Sequence, residues 1–134
     1  MSLRRKTELS KMSFALILVA ICVVFSAVGQ ILMKTGMNQV GEINSIQQLL
    51  DFKMLFSIFT NLYVICGLLC FVGQLVIWLA AMSTLNISFM YPLASLVYVL
   101  TAVIAVVFLH EDVSLVRWAG IFLVVGGCVM VGQS

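Results

Sequence analysis

Polar side chains recur at every fourth position near the start of the sequence, in the stripe Cys22, Ser26, Gln30 and Lys34. Residues four apart share one face of an α-helix, so this stripe runs along the helix and ends in an ammonium group. Its hydroxyl and amide can hydrogen-bond a hydroxylated group, and lysine, a point charge with three donors, suits a phosphate. Two other interpretations stay open. Such polar groups can simply join neighbouring helices, and a terminal lysine can reach the lipid headgroups.

Two further stretches carry polar or aromatic side chains at helical spacing. They are Cys66, Cys70, Gln74 and Trp78 in the first, and Tyr91, Ser95, Tyr98 and Thr101 in the second. Polar side chains inside a membrane usually turn towards the protein interior. We therefore expect three stripes that face one another and line a narrow, mildly polar cavity, with hydrogen bonding between helices as the alternative for each residue alone.

The elements that position these side chains must lie in a membrane. The 134 residues are 63% hydrophobic and only 9% charged, and no Asp, Glu, Lys, Arg or His occurs between Lys53 and His110. That interval is long enough for two spans of about 20 residues each. Further uncharged runs lie near both ends of the chain. The sequence predicts an all-α integral membrane protein with four transmembrane helices, at Ser13–Met33, Phe56–Ala81, Ile87–Leu109 and Val113–Gly132.

The predicted connections differ in length. Short links form hairpins between the second and third helices and between the third and fourth, whereas residues 35–55 form a long link. Apolar residues spaced by three and four within that link predict an interfacial amphipathic helix, or an extension of the second helix. We expect one domain over residues 1–134, with a basic N-terminal segment at 1–12. This segment carries one more positive residue than the opposite side of the predicted topology, which favours cytoplasmic termini. So small a difference leaves dual insertion and an antiparallel dimer open.

Several classes of function find no support in the sequence. The net charge of +2 is too small to indicate a nucleic-acid partner. No phosphate-binding loop and no nucleophile with its base can be assembled, so we expect neither an enzyme nor catalytic residues. The four cysteines lie within predicted spans without acidic or histidine neighbours, and we expect them to pack rather than bind a metal or cofactor.

Three further features stand at or near helix ends. Pro92 inside the third helix removes a backbone hydrogen bond and predicts a hinge. Glu111 could pair with Lys34 or Arg117, or bind an amine on a substrate. The fourth helix is mostly apolar, and we expect its small residues to be packing contacts. These are Gly120, Gly126 and Gly127.

Three segments carry a resemblance to a known family: GQILMK, YPLASLVYV and HEDVSLVRWAGIFLVVGG. They resemble the short, four-helix form of the drug/metabolite transporter superfamily, which includes EamA-like and small multidrug resistance proteins. The resemblance is strongest to the small subunits of the undecaprenyl-phosphate-aminoarabinose flippase. Small multidrug resistance exporters have an essential glutamate midway along helix one, and the matching position here is Ser26. The resemblance therefore favours lipid flipping over cation/proton antiport.

The resemblance implies a protein of the bacterial inner membrane that moves a polyprenyl-phosphate-linked sugar between leaflets. It would act as a homodimer, or as a heterodimer with a similar four-helix subunit, among membrane lipids. In this picture Lys34 meets the phosphate and Glu111 touches an amino substituent. The remaining headgroup contacts would be Ser26, Gln30, Gln74, Trp78, Tyr91, Ser95 and Tyr98. Two rival functions remain: export of small cations or metabolites, and a non-transporting assembly subunit that uses its glycine-rich helix as a contact surface.

Overall fold

The computed structural model describes residues 2–134, so Met1 of the predicted basic segment lies outside the described residues. All regular elements in this range are helices: α1 (Ser2–Val40), α2 (Ile46–Leu50), α3 (Phe52–Thr60), α4 (Leu62–Met82), α5 (Ile87–Ala94), α6 (Leu96–Leu109) and α7 (Leu115–Gln133). Four stretches are long and apolar enough to cross a membrane: Leu3–Val40, Leu62–Met82, Ile87–Leu109 and Leu115–Gln133. The predicted all-α fold with four transmembrane helices is confirmed.

The first helix extends well beyond its predicted bounds. Ser13–Met33 was expected, but α1 has 39 residues and is about 58 Å long at 1.5 Å per residue. It ends where Gly41 adopts a φ of +107°, a conformation that glycine adopts without strain. The hydrocarbon core of a bilayer is only about 30 Å thick. The basic N-terminal residues and Lys34 therefore belong to one continuous helix that projects beyond the bilayer.

The long link contains two short helices in place of one interfacial helix. The Ser45 side chain caps α2, and the Asp51 side chain accepts a hydrogen bond from the backbone of Lys53 at the start of α3. The second transmembrane helix was expected to begin at Phe56. It begins at Leu62, because the Asn61 side chain caps α4 by accepting from two backbone N–H groups.

The third span is divided into α5 and α6 by a turn at Ser95, three residues after Pro92. Proline has no N–H to donate to the Ser88 carbonyl, which weakens the helix before Pro92 and does not explain the turn after it. At the far end, His110 adopts a left-handed conformation with a φ of 52° and ends α6. Ser114 then caps α7 by accepting from the Arg117 N–H.

The long helix α1 lies at the centre of the bundle. It packs along most of α4 and also against α6, whereas α7 packs on α5 and less closely on α6. A small core of Val19, Ala81 and Met90 joins α1, α4 and α5. No residue of α7 is buried in the isolated chain. As a result α1 is lined by partners on two sides, while α7 forms an outer face.

Candidate functional site

The polar stripe on α1 is bonded to α6. Thr101 Oγ1 donates to Gln30 Oε1 at 3.2 Å, and Gln30 Nε2 donates to Ser26 Oγ at 3.4 Å. All three residues are half-buried. For Gln30, therefore, the interhelical interpretation describes the observed contact, although an amide NH₂ has a second hydrogen that can still be donated.

The stripe ends in an ion pair. Lys34 Nζ lies 3.7 Å from Glu111 Oε1, with side chains that are 54% and 42% exposed. Of the ionic partners considered for Glu111, the structure selects Lys34. An exposed pair of this kind contributes no more than about 1 kcal/mol, so an anion can replace the carboxylate at little cost. Lys34 also lines a cavity of about 520 Å³ with Asn38, Glu42 and Asn44, just beyond the membrane-embedded part of α1.

A buried acceptor without a partner lies on α4. Among the described residues, no hydrogen-bond donor reaches Gln74 Oε1, although the atom is inaccessible to solvent. The backbone of the same residue is held in place, because its carbonyl accepts a weak hydrogen bond from Cys22 Sγ at 3.6 Å. In an apolar environment an unsatisfied amide oxygen is costly, on the order of 1–3 kcal/mol. A ligand can reach this oxygen only if the Gln74 amide turns out of its buried position.

Gln74 lines a cleft of about 380 Å³ between α4 and α5. Its other lining residues are Phe71, Leu75, Trp78, Tyr91 and Ala94. The Trp78 and Tyr91 rings meet edge to face, with centroids 5.9 Å apart and planes at 80°. Tyr91 is 61% exposed, so this aromatic edge is open to the surroundings of the bundle. The cleft has aromatic walls and opens sideways towards lipid, and the residue with the unpaired buried oxygen borders it.

Ser95 and Tyr98 lie elsewhere. Ser95 is buried and its hydroxyl donates to the Pro92 carbonyl, so it stabilises the turn between α5 and α6. Tyr98 is exposed in a mostly apolar groove of about 670 Å³ between α5, α6 and α7, which Tyr91 also borders. Pro92 itself lies inside α5, three residues before the observed turn, and a hinge at Pro92 stays a prediction.

The three stripes do not form one cavity. Thr101 bonds to Gln30 on α1, whereas Tyr91 and Tyr98 are mostly exposed. Thr101 consequently faces α1 while the tyrosines face outwards. The structure brings together Ser26, Gln30 and Thr101, then Lys34 with Glu111, and separately Gln74, Trp78 and Tyr91.

Sequence reasoning missed the neighbours of two of these sites. Asn38 and Asn44 stand beside Lys34 because α1 continues past the apolar run, which hydropathy does not detect. Phe71 and Leu75 flank Gln74, and only Phe71, three residues earlier on the same helix face, could have been found from the spacing. No group of three His, Cys, Asp or Glu side chains within residues 2–134 is arranged to hold a metal ion.

The glycines predicted to pack α7 face open space within the single chain. A Cβ at Gly120, Gly126 or Gly127 would meet no atom within 4 Å. By contrast, Gly132 lies against Pro92, because a Cβ at Gly132 would be 3.3 Å from the Pro92 Cβ. These three glycines therefore do not hold α7 against its own bundle, and Gly127 borders the groove between α5, α6 and α7.

Comparison with known proteins agrees with this architecture. Residues 13–133 match the EamA-like transporter family. The chain belongs to this family. No solved structure matches the chain.

Two curated relatives are similar to this member of the family. The probable 4-amino-4-deoxy-L-arabinose-phosphoundecaprenol flippase subunit ArnF of Shewanella sediminis is 35% identical over 124 residues, covering 87% of this chain and 86% of the relative. The corresponding probable subunit ArnE of Escherichia fergusonii is 34% identical over 68 residues, covering 51% of this chain. The chain spans only 61% of the length of that relative. Family and helices together make this chain a multi-pass membrane protein of a transporter family.

Proposed function

We propose that this chain is a subunit of a flippase that moves a polyprenyl-phosphate-linked sugar between the leaflets of a bacterial inner membrane. The names of the relatives, both flippase subunits for an aminoarabinose-phosphoundecaprenol, support this assignment. The structural observation that carries it is the buried Gln74 Oε1 in a cleft that opens sideways to lipid.

The physical problem of flipping is confined to the headgroup. A sugar phosphate resists transfer into hydrocarbon, whereas the polyprenyl tail can remain in lipid throughout. A protein therefore needs a cleft with a lateral opening and hydrogen-bonding groups inside. After the Gln74 amide turns into the cleft, its Oε1 offers an acceptor to a sugar hydroxyl or ammonium, and the Trp78–Tyr91 pair offers aromatic surface to the ring. Either donor, the hydroxyl or the ammonium, would satisfy the Gln74 oxygen that the folded chain leaves unpaired.

The ion pair at the other site completes the proposal. A lipid phosphate would take the place of Glu111 beside Lys34, as one anion replaces another on an exposed ammonium. The released Glu111 carboxylate could then pair with an amino substituent on the sugar. With cytoplasmic termini, Lys34 would lie at the outer leaflet. The lipid phosphate would therefore replace Glu111 when the headgroup reaches that leaflet.

The assembly is proposed to be a dimer, with either a second copy or a similar four-helix subunit. The exposed glycines of α7 support a helix partner that this chain does not supply, because glycines in membrane helices allow backbones to approach closely. In this proposal α7 forms the dimer contact of a flippase. The rival interpretation, a subunit that only assembles and does not transport, is then not needed.

Binding of the purified full chain to undecaprenyl-phosphate-linked aminoarabinose in nanodiscs tests the proposal, alone and with a partner subunit. Gln74→Leu should weaken binding about tenfold through loss of one hydrogen bond, while thermal stability stays equal or rises because an unpaired oxygen is removed. Gln133→Leu, at the end of α7, is the matched control and should change neither. If no polyprenyl phosphate is bound or translocated by either preparation, the flippase assignment is wrong.

A small-cation exporter is the second candidate, favoured by the aromatic pair of Trp78 and Tyr91, which could hold a quaternary amine by cation–π contact. From Met12 to the end of α1, and throughout α4 to α7, no helix residue is Asp or Glu. The usual proton-carrying group of an antiporter is thus missing from these stretches. Protection of cells against quaternary amines that is lost on Trp78→Ala would favour export instead.

A further inference from the structure

A cavity of about 730 Å³ lies at the end of the bundle opposite Lys34, away from the candidate site. One wall is the first turns of α1, which carry Arg5, Glu8 and Lys11. The other wall is the link between α4 and α5 together with the end of α7. The N-terminal extension of α1 is therefore part of a defined concave surface.

The direction of this extension follows from the spacing of residues along α1. Arg5, Glu8 and Met12 stand at steps of three and four, as does the buried face that follows them. That buried face comprises Ala15, Val19 and Cys22. Because a helix keeps one face over such steps, the side that packs into the bundle continues as the side that faces the cavity. Arg5 is thus held over the end of the bundle by the packing of the membrane-embedded part.

The charges in the cavity leave one cation free. Lys11 Nζ lies 3.7 Å from Glu8 Oε1, so these two partly neutralise each other. Arg5 has no ion-pair partner among residues 2–134. The cavity wall therefore carries a net positive charge that comes from a guanidinium, the group best suited to bind phosphate oxygens in pairs.

The facing wall supplies polar groups with hydrogen-bonding capacity left. Ser83 and Thr84 donate their hydroxyls to the Ala80 and Ala81 carbonyls, so those hydrogens are used. The side chain of Asn86, at the start of α5, makes no capping hydrogen bond. Its amide consequently remains available to a ligand that lies between the two walls.

We propose that this cavity binds the phosphate group of a membrane lipid, with Arg5 as the main contact and Asn86 as a second donor. Leu9 and Phe89 give the same cavity apolar surface, where the start of a lipid chain can lie. Lys11 is the last charge before the apolar run of α1, so the cavity lies at the level of lipid headgroups. The inference rests on the proposed function only in expecting the substrate lipid to be among the ligands.

This site would give α1 a phosphate contact at each end. Arg5 and Lys34 stand on the same helix on opposite sides of the hydrocarbon core, and Lys11 and Lys34 are about 35 Å apart at 1.5 Å per residue. A phosphate held by Arg5 lies in the leaflet from which a headgroup would enter, and one held by Lys34 lies in the leaflet it would reach. The cavity is therefore placed to load the lipid.

Adjacent arginines allow a matched test. Arg5 lines the cavity and Arg4 does not, yet both belong to the same exposed turn of α1. Native mass spectrometry of the full chain from phosphatidylcholine nanodiscs doped with undecaprenyl phosphate, or with phosphatidylglycerol, measures the retained lipid. We expect Arg5→Gln to lower retention about fivefold and Arg4→Gln less than twofold, with unchanged thermal stability in both. Arg5→Lys should restore part of the loss.

The outcomes separate the lipid sources and the two proposals. Loss of undecaprenyl phosphate alone identifies a substrate-loading site, and loss of both lipids identifies a general site for lipid phosphate. Equal effects of Arg4→Gln and Arg5→Gln would overturn the proposal, since they indicate diffuse attraction to the anionic surface. The proposal would also be overturned if inorganic phosphate bound in the cavity and neither lipid did. If the binding test with Gln74→Leu contradicted the flippase assignment, Arg5→Gln would still be expected to lower the retention of phosphatidylglycerol.

Discussion

Glycines in two regions of the molecule have opposite surroundings. Between α1 and α4, a Cβ at Gly67 would lie 2.8 Å from the Gly29 carbonyl oxygen and 2.7 Å from Met33 Cγ. On α7, Gly126 and Gly127 would meet nothing within 4 Å. The first pair of helices touches backbone to backbone, whereas the second surface is open. The same residue type thus joins helices within the chain in one region and leaves a free face in the other.

The comparison shows what glycine in a membrane helix does and does not indicate. It indicates a place where a backbone can be approached closely, because no side chain intervenes. It does not indicate which backbone approaches. For α4 the partner is α1 of the same chain, and for α7 the partner must come from outside or be lipid. The glycine variants below test this difference, and two further variants test the polar contacts between helices, in order of decreasing effect.

Gly67→Ala should have the largest effect on folding. Its new methyl would collide with the Gly29 carbonyl, a backbone atom that cannot rotate away, so α1 and α4 must separate. We expect a loss of about 1–3 kcal/mol in the free energy of unfolding, measured by titration with SDS in mixed micelles. Gly120→Ala is the control and should be neutral or stabilising by less than about 1 kcal/mol. Equal losses at both positions would abolish the contrast between the two regions.

Gly126→Leu and Gly127→Leu should leave the single chain intact and act on assembly. Each leucine would project from an open helix face, so the thermal stability of the monomer in detergent should not fall. Dimer formation in liposomes, followed by single-molecule fluorescence transfer, should weaken about tenfold, since a contact that needs small residues would be blocked. Phe122→Leu, an exposed change on the same helix, serves as the control. Unaltered association with destabilised monomers would show that these glycines pack inside the chain.

Thr101→Val should have a moderate effect. It removes the hydrogen bond to Gln30 that joins α6 to α1, and such bonds in membrane proteins contribute about 0.6–1.7 kcal/mol. A double-mutant cycle with Gln30→Leu measures the coupling between the two side chains. Because both partners are then apolar, the double variant should recover part of the stability lost in the single ones. Strict additivity of the two losses would mean that the bond is not formed in the membrane.

Lys34→Met should have the smallest effect on stability. The ion pair with Glu111 is about half exposed, so its contribution should stay below about 1 kcal/mol and shrink at high salt. Affinity for a lipid phosphate should fall by more than stability does, because the ammonium faces the cavity beside Asn38. Lys53→Met, outside this cavity, provides the comparison. A stability loss larger than that of Thr101→Val would make the ion pair structural.

Hydropathy was sufficient to predict the four spans, because the transfer of apolar side chains into lipid dominates the energy of a membrane helix. It could not predict helix ends. The polar residues before Ser13 remain helical without being in lipid, and the cap at Asn61 decides where α4 begins. Hydropathy reports immersion, whereas the ends depend on hydrogen bonds of single side chains.

The candidate site could be predicted in part. Spacing identified Gln30 and Lys34 on one stripe, and their partners Thr101 and Glu111 were among the polar residues considered. Spacing could not tell which stripes face one another, since that depends on how the helices rotate as they pack. Nor could it reveal that Gln74 keeps a buried acceptor unpaired, because hydrogen-bond satisfaction is a property of the assembled bundle.

The length of α1 has a mechanical consequence. A continuous helix of about 58 Å behaves as a stiff rod with one end in each aqueous phase. If it pivots near its middle, a tilt of about 10° carries the two ends about 5 Å in opposite directions, the scale of ordinary domain motions. Opening of one mouth of the bundle would then be geometrically linked to narrowing of the other. A single lever of this kind can alternate access between two leaflets without any signal passing through the bundle core.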